Sequence, residues 1–216
     1  MQNNLSLYKA QVSLRQGVVD GLEDWNWVTA DKGAFDGPLK DWIGSHKEAY
    51  TKYLKGHQLV IQAGGNCGMY PVLFSQLFDQ VYTFEPDPLN FYTLVQNCQL
   101  GNIIKIQAAL GNEHRMVGLA MGPTDNVGMH QIAEKGPVPQ LCIDDFAWPE
   151  CDLIQLDIEQ YEIYALRGAQ NTIQKFRPVI SVENDTDDIC KLLKHFEYVE
   201  AQNSKMDTIY VPRERL

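Results

Sequence analysis

No stretch of this 216-residue chain approaches the roughly 20 consecutive apolar residues needed to span a bilayer. Met1–Ala10 also lacks a charged start followed by an apolar run, so a soluble, unexported, cytoplasmic protein is expected. Basic clusters are missing too: 18 Lys and Arg stand against 28 Asp and Glu, a formal charge of -10, and the PRERL tail is the longest basic run. Duplex nucleic acid and anionic membranes are bound through clustered cations, so neither is an expected partner. The five cysteines, Cys67, Cys98, Cys142, Cys151 and Cys190, are odd in number and never spaced C-x-x-C. That argues against a disulfide framework or a zinc cluster and fits a reducing compartment.

What is present is a glycine turn tied to an acidic strand end. Leu59, Val60 and Ile61 form a short apolar run, and Gly64, Gly65, Asn66 and Gly68 follow, residues for which positive φ is cheap. Tyr70, Leu73, Phe74, Leu77 and Phe78 then fall at helical spacing, with Pro71 in a first turn that needs no N–H donor there. The order is strand, turn, helix. Glu85 comes 23 residues after Gln62, at the end of the next apolar run, placed to accept hydrogen bonds from the two hydroxyls of a ribose. The turn completes neither G-x-G-x-x-G nor G-x-x-x-x-G-K-[ST], and no lysine stands near it to meet a phosphate. A nucleoside cofactor without phosphates and with a positive sulfonium, S-adenosyl-L-methionine, fits such a site. A side chain at Gly64 is expected to fill the cofactor's space and leave the fold intact.

The remainder keeps a βα rhythm. Phe91, Leu94, Val95 and Cys98 repeat the helical stripe after Pro88, and Gly101 closes it. Residues 103–110 read as a strand, and 111–150 as an inserted β meander broken by glycine and proline, Pro137 and Pro139 among them. A strand is expected over 153–158, a helix over 161–175, a strand over 179–183, a helix around Ile189–Phe196, and a closing hairpin from YVEAQ and DTIYVP. With 44% hydrophobic residues one core suffices. The fold class is α/β: a doubly wound, mostly parallel, seven-stranded sheet with one antiparallel strand. Residues 1–56 form an aromatic-rich extension, with Trp25, Trp27, Phe35, Trp42, Tyr50 and Tyr53, serving as core packing or a substrate cover; residues 57–216 form the cofactor domain. Asp31, Lys32, Asp36 and His46 interleave with those aromatics, a mixture suited to a sugar.

Methyl transfer to oxygen is an in-line displacement that needs alignment and removal of one proton. Asp157 and Glu159 lie two apart at a strand's carboxyl end, and would share a face if the strand ran to 159. Either could be the base or a hydroxyl ligand; alternatively one caps the next helix. No metal site is assigned, although Glu183 could give the pair a third oxygen. His130, in the meander, is a further candidate base, with a surface loop histidine as the alternative.

IQAGGNCG, FEPDP, QLDIEQYEIYALRGA and PVISVE together resemble the FkbM family of S-adenosylmethionine-dependent methyltransferases, a branch of the class I methyltransferase fold, over roughly residues 57–185. The resemblance implies that Gly64, Asn66 and Gly68 line the methionine and ribose portion, with Gln62, Ala63, Gly65, Glu85, Pro86 and Asp157 completing that side and Ala108 and Ala109 at the adenine. It also implies O-methylation of a hydroxyl on a sugar, glycan or small metabolite. N-methylation, or a partner module that has lost catalysis, are the alternatives. Gln62 stands where the family usually has aspartate, and Gln155 and Gln160 where it usually has lysine and glycine.

Overall fold

A computed structural model describes residues 8–9, 11–19, 22–31, 48–122, 126–203 and 207–216. Phe35, Trp42, Lys32, Asp36 and His46, singled out above, lie outside them. Two N-terminal strands, β1 (Val12–Val19) and β2 (Leu22–Val28), pair antiparallel. The main sheet then takes β3 (Leu59–Ala63), β4 (Gln80–Phe84), β5 (Ile103–Ile106), β9 (Leu153–Leu156), β10 (Val179–Val182), β11 (Tyr198–Asn203) and β12 (Thr208–Pro212). Their spatial order is β11-β12-β10-β9-β3-β4-β5. β12 runs antiparallel to both neighbours and the other pairs are parallel, the sheet expected from the sequence.

Both faces of this sheet are covered, which is why its central strands are buried and mostly apolar, apart from one polar position each at Gln62, Gln155 and Ser181. Ile61, Ile154, Leu156, Ile180 and Val182 pack toward α3 (Glu162–Arg167) and α4 (Gln170–Phe176). Val60, Leu153, Val179 and Val81 pack on the other face with α1 (Met69–Ser75), Trp25, Trp27 and Tyr50. The N-terminal hairpin is fixed by one amide: Asn97, at the end of α2 (Pro88–Asn97), accepts from the Asn26 N–H at 2.8 Å and donates to the Asn26 carbonyl at 2.9 Å. The same Nδ2 donates to the Cys67 carbonyl inside the glycine turn at 2.7 Å, so hairpin, helix and turn are tied together. The remaining helix of the main fold, α5 (Asp187–His195), is capped by the Thr186 hydroxyl.

Two expected elements are divided, and one strand runs on where breaks were expected. Residues 103–110 leave the main sheet after Ile106, and β6 (Ala109–Leu110) joins a separate sheet of order β6-β8-β7, with β7 at Arg115–Ala120 and β8 at Gln131–Leu141. β8 runs through Pro137 and Pro139, read above as punctuation. Its register against β7 jumps from Val117↔Val138 to Gly118↔Ala133, so residues 134–137 bulge out of the ladder and Pro137 owes it no N–H. The helix expected over 161–175 breaks at Gly168–Ala169, because Gly168 packs against the Gly111 carbonyl so closely that no Cβ fits.

The expectation for Gly64 is corrected. At φ +84° its ideal Cβ would overlap the carbonyl oxygen of Asp157, not an open crevice. Gly64→Ala therefore disturbs the fold itself, and we expect a loss of about 2 kcal/mol or more from left-handed strain plus the clash. Gly101 has no heavy atom within 4 Å of its ideal Cβ, so Gly101→Ala should stay within about 1 kcal/mol of wild type. Urea unfolding of both variants checks this, and an unaltered midpoint for Gly64→Ala would contradict it.

Candidate active site

The glycine turn is built by three left-handed residues, Gly64 (φ 84°), Asn66 (φ 43°) and Gly68 (φ 101°). Gly64 and Gly65 N–H groups both donate to the Phe84 carbonyl at 3.0 Å, which draws the turn over the end of β4. A Cβ on Gly65 would meet Thr83 Oγ1 at 2.7 Å, so the turn sits directly on its neighbour strand. Glu85, 5% exposed, accepts from the Asn66 N–H at 2.7 Å with one oxygen and from the Asp87 N–H at 2.8 Å with the other. Burial pushes its carboxyl up to about 7, against the pull of those two amides.

Each Glu85 oxygen retains a lone pair after its one amide bond, so the carboxylate can still accept two hydroxyl donors. From residue 56 to 104 the chain holds no lysine or arginine. The donor set therefore fits a vicinal diol on an uncharged or cationic group and does not fit a polyphosphate. Gly64, Asn66 and Pro86 are partly exposed beside it. Gln62 and Ala63 lie beneath the turn, at 0% and 1% exposure. The Gln62 amide is spent on the turn: Nε2 donates to the Ala63 and Gly64 carbonyls at 3.0 Å each, and Oε1 accepts from Thr83 at 2.5 Å. Ala108 is packed in the main core, and Ala109 against Val117 and Val138 of the smaller sheet.

His130 is not a solvated loop histidine. Its side chain is 8% exposed, and Nδ1 meets Asp87 Oδ2 at 3.1 Å. The Asp87 bond, then its charge and that of Glu85, hold the imidazole above its usual value despite burial. Burial pushes Asp87 up, but the His130 bond and the amides of Asn90 and Leu89 outweigh it and the carboxyl ends low. This pair sits beside Glu85, to which the Asp87 N–H donates, and Asn90 Nδ2 nearby holds the Val127 carbonyl at 3.2 Å.

Acidic groups gather at the other end. β9 stops at Leu156, so Asp157 and Glu159 are not brought together by strand alternation. Instead the chain turns through Glu159 (φ 54°) and Gln160 (φ 73°), consecutive left-handed residues. That conformation is costless for the glycine expected at 160 and strained for glutamine. The turn leaves carboxylate oxygens of Asp157, Glu159 and Glu183 all within 4.8 Å of one another. Burial, then the Glu183 charge, drive Asp157 well above the usual carboxylate range, and the same two causes lift Glu159 to about 7. Neither caps α3, whose N-cap Tyr161 makes no side-chain cap bond. Glu162 Oε1 instead accepts from the Ile158 N–H at 3.2 Å, bracing the turn that precedes the helix.

Three groups near this cluster, Tyr50, Tyr70 and Asp207, carried no sequence signal of a place beside it. Tyr50 donates to Asp207 at 2.5 Å across 157 residues of sequence, a pairing that no local pattern announces. Tyr70 was legible only as one member of an apolar stripe. Burial raises both phenols, followed by the Asp207 charge at Tyr50 and the Tyr50 charge at Tyr70, while Asp157 acts on Tyr70 as well.

The sheet order, a glycine turn after β3 and an acidic residue ending β4 together define a class I, S-adenosylmethionine-dependent methyltransferase. The sequence profile of the methyltransferase FkbM domain matches residues 72–200, and the chain belongs to that family. A hexuronic acid methyltransferase, AglP, of Haloferax volcanii is 22% identical over 203 residues, covering 78% of this chain and 84% of the relative. Among solved structures, methyltransferase FkbM from Methylobacillus flagellatus KT is 17% identical with a TM-score of 0.49, covering 80% of this chain and 52% of that one. Trm5b from Pyrococcus abyssi shares the fold at 10% identity and a TM-score of 0.51, over 93% of this chain and 55% of its own. The chain thus spans about half the length of those two structures. No helix among the described residues is long and apolar enough to cross a membrane.

The raised Glu159 carboxyl has a consequence for stability. Its folded value of about 7 lies above its ordinary 4.5. Between these the unfolded chain ionises first, so the Glu159 contribution is full below about pH 4.5 and lost as pH rises through about 7. Glu159→Gln should melt higher than wild type at pH 8 and no higher at pH 4.5, read by scanning fluorimetry. Equal shifts at both pH values would contradict the clustered arrangement.

Proposed function

We propose that this methyltransferase acts on oxygen, transferring the methyl group of S-adenosyl-L-methionine to a hydroxyl of a sugar, glycan or small metabolite. The observation that carries this is the group Asp157, Glu159 and Glu183, beside the glycine turn and poised to hold and release a proton near neutral pH. The cofactor, when bound, supplies an electrophilic methyl on a sulfonium. Glu85 would accept the ribose hydroxyls, and the backbone of Gly64, Gly65, Asn66 and Gly68 would shape the wall of the site that holds the cofactor. Pro86 would border the ribose, with Gln62 and Ala63 beneath the turn; Ala108 and Ala109, the candidates for the adenine, are packed in the main core and the smaller sheet.

Three carboxylates this close cannot all ionise at neutral pH, so the group retains a proton on Asp157 and leaves Glu159 to titrate. Ionised Glu159 takes the hydroxyl proton as oxygen attacks, and Asp157 and Glu183 orient the acceptor. His130, fixed on Asp87, serves the ribose side and not this proton. From the N-terminal region, Tyr50 reaches Asp207. The sugar acceptor is supported by the hexuronic acid methyltransferase relative, at 22% identity.

Tritiated-methyl transfer to a panel of sugars and small alcohols tests the reading. Glu159→Gln should lower turnover about 10²-fold or more while leaving cofactor affinity nearly unchanged. Wild-type turnover in both Glu159→Gln and Asp157→Asn would remove the carboxylates from the chemistry. Loss with a chelator and recovery with Mg²⁺ would recast all three as metal ligands. Glu85→Ala should weaken cofactor binding by on the order of 1.5 to 3 kcal/mol in calorimetry.

A further inference from the structure

Where residues 134–137 leave the β7–β8 ladder, a cavity of about 370 Å³ opens between that bulge and the start of α3. Its size lies in the range of about 300–1,000 Å³ typical of small-ligand sites. Asn112, Glu113, Arg115, Glu134, Tyr161 and Tyr164 line it. One side is an aromatic wall: the Tyr161 and Tyr164 rings lie 4.6 Å apart at 32°, and Tyr164 is 38% exposed.

The polar groups of this wall are held in place. Gln140, 1% exposed, donates to the Glu113 carbonyl at 2.8 Å and accepts from the Tyr161 hydroxyl at 2.9 Å. The Tyr161 oxygen accepts in turn from Arg115 Nη2 at 2.8 Å, and Arg115 Nε stands 3.4 Å from Glu113. A guanidinium carries five N–H donors, so Arg115 has others to offer the cavity, with the Glu113 and Glu134 carboxylates as acceptors beside them. An aromatic face next to fixed donors and acceptors matches a pyranose ring, whose C–H face stacks and whose hydroxyls both give and take hydrogen bonds.

Charge narrows the choice. One Arg against two Glu leaves the lining at a net negative charge, in a chain of formal charge -10. A carboxylated or phosphorylated sugar would meet like charge there, which disfavours it. The Cα of Tyr161 follows that of Glu159 by two residues, so the two lie within about 7.6 Å of each other. We propose that this cavity is the acceptor subsite and takes an uncharged sugar residue, with Tyr164 as its stacking platform and Arg115, Glu113 and Glu134 as hydroxyl partners. The proposal rests on the assignment of Asp157 and Glu159 to the transfer chemistry.

Saturation-transfer NMR on the full chain tests it with neutral methyl hexopyranosides of gluco, galacto, manno and rhamno configuration, methyl glucuronide and methyl glucosaminide. At least one neutral glycoside should bind with a Kd in the low millimolar range, about ten-fold or more tighter than the glucuronide. Tyr164→Ala should weaken it about ten-fold with cofactor affinity unchanged in calorimetry, and Glu134→Gln should improve glucuronide binding several-fold. Failure of every neutral glycoside to bind, tighter binding of the glucuronide than of every neutral glycoside, or indifference to both substitutions would overturn the subsite. Sugar binding without methyl transfer would leave the cavity standing and remove the carboxylate chemistry; transfer without sugar binding would remove the cavity alone.

Discussion

The site depends on one close approach: the α-carbon of Gly64 against the carbonyl oxygen of Asp157, with no space for a Cβ between them. β3 and β9 are parallel neighbours, paired from Val60↔Leu153 to Ala63↔Leu156, and this contact lies one residue beyond the last pair. It sets the separation between the turn proposed to border the cofactor and the carboxylates proposed for the acceptor. The Asp157 N–H reaches back to the Ala63 carbonyl at 3.1 Å, so backbone holds the geometry from both directions. A displacement of the turn would move donor and acceptor sites apart, to which in-line transfer is sensitive.

Beneath this contact runs a buried polar row. Gln62 and Gln155 are register partners on β3 and β9, both 0% exposed, with Ser181 next on β10. These are two of the three positions where the chain departs from the family pattern, and their adjacency makes the departures one change. An aspartate beside a lysine is a neutral pair, and so are two amides. Losing one member alone would strand a buried charge at about 3–5 kcal/mol, whereas exchanging both does not. Gln62 still braces the turn through Ala63, Gly64 and Thr83. The Gln155 amide finds no partner among the described residues, a cost the neutral pair still carries.

The crevice was legible because its signals are local. Glycine spacing, the helical stripe from Tyr70 and the distance to Glu85 all sit within some 30 residues, and parallel βα order follows from such units. The acidic cluster was only half legible. Asp157, Glu159 and Glu183 stood out as strand-end carboxylates, but they meet through the left-handed turn at Glu159–Gln160, not through the strand alternation that proximity in sequence suggested. β8 was hidden because a strand was not expected to run through two prolines: Pro137 falls in the break of the ladder, and Pro139 stays paired with Met116. Tyr50 with Asp207, and Asn97 with Asn26, pair residues 157 and 71 apart, and nothing in either neighbourhood marks the partner. The purpose of Gly64 was misjudged for the same reason: its neighbour is a backbone oxygen 93 positions away.

The central claim is that one crevice, bounded by the glycine turn, Glu85 and Asp157, holds the methyl donor. A crystal structure of the chain with S-adenosylhomocysteine tests it most directly. The account predicts both ribose hydroxyls within about 3.2 Å of the Glu85 carboxylate, as charge-assisted hydrogen bonds require, and the sulfur turned toward the Asp157–Glu159–Glu183 group. Ligand bound elsewhere, or with its ribose away from Glu85, would contradict it.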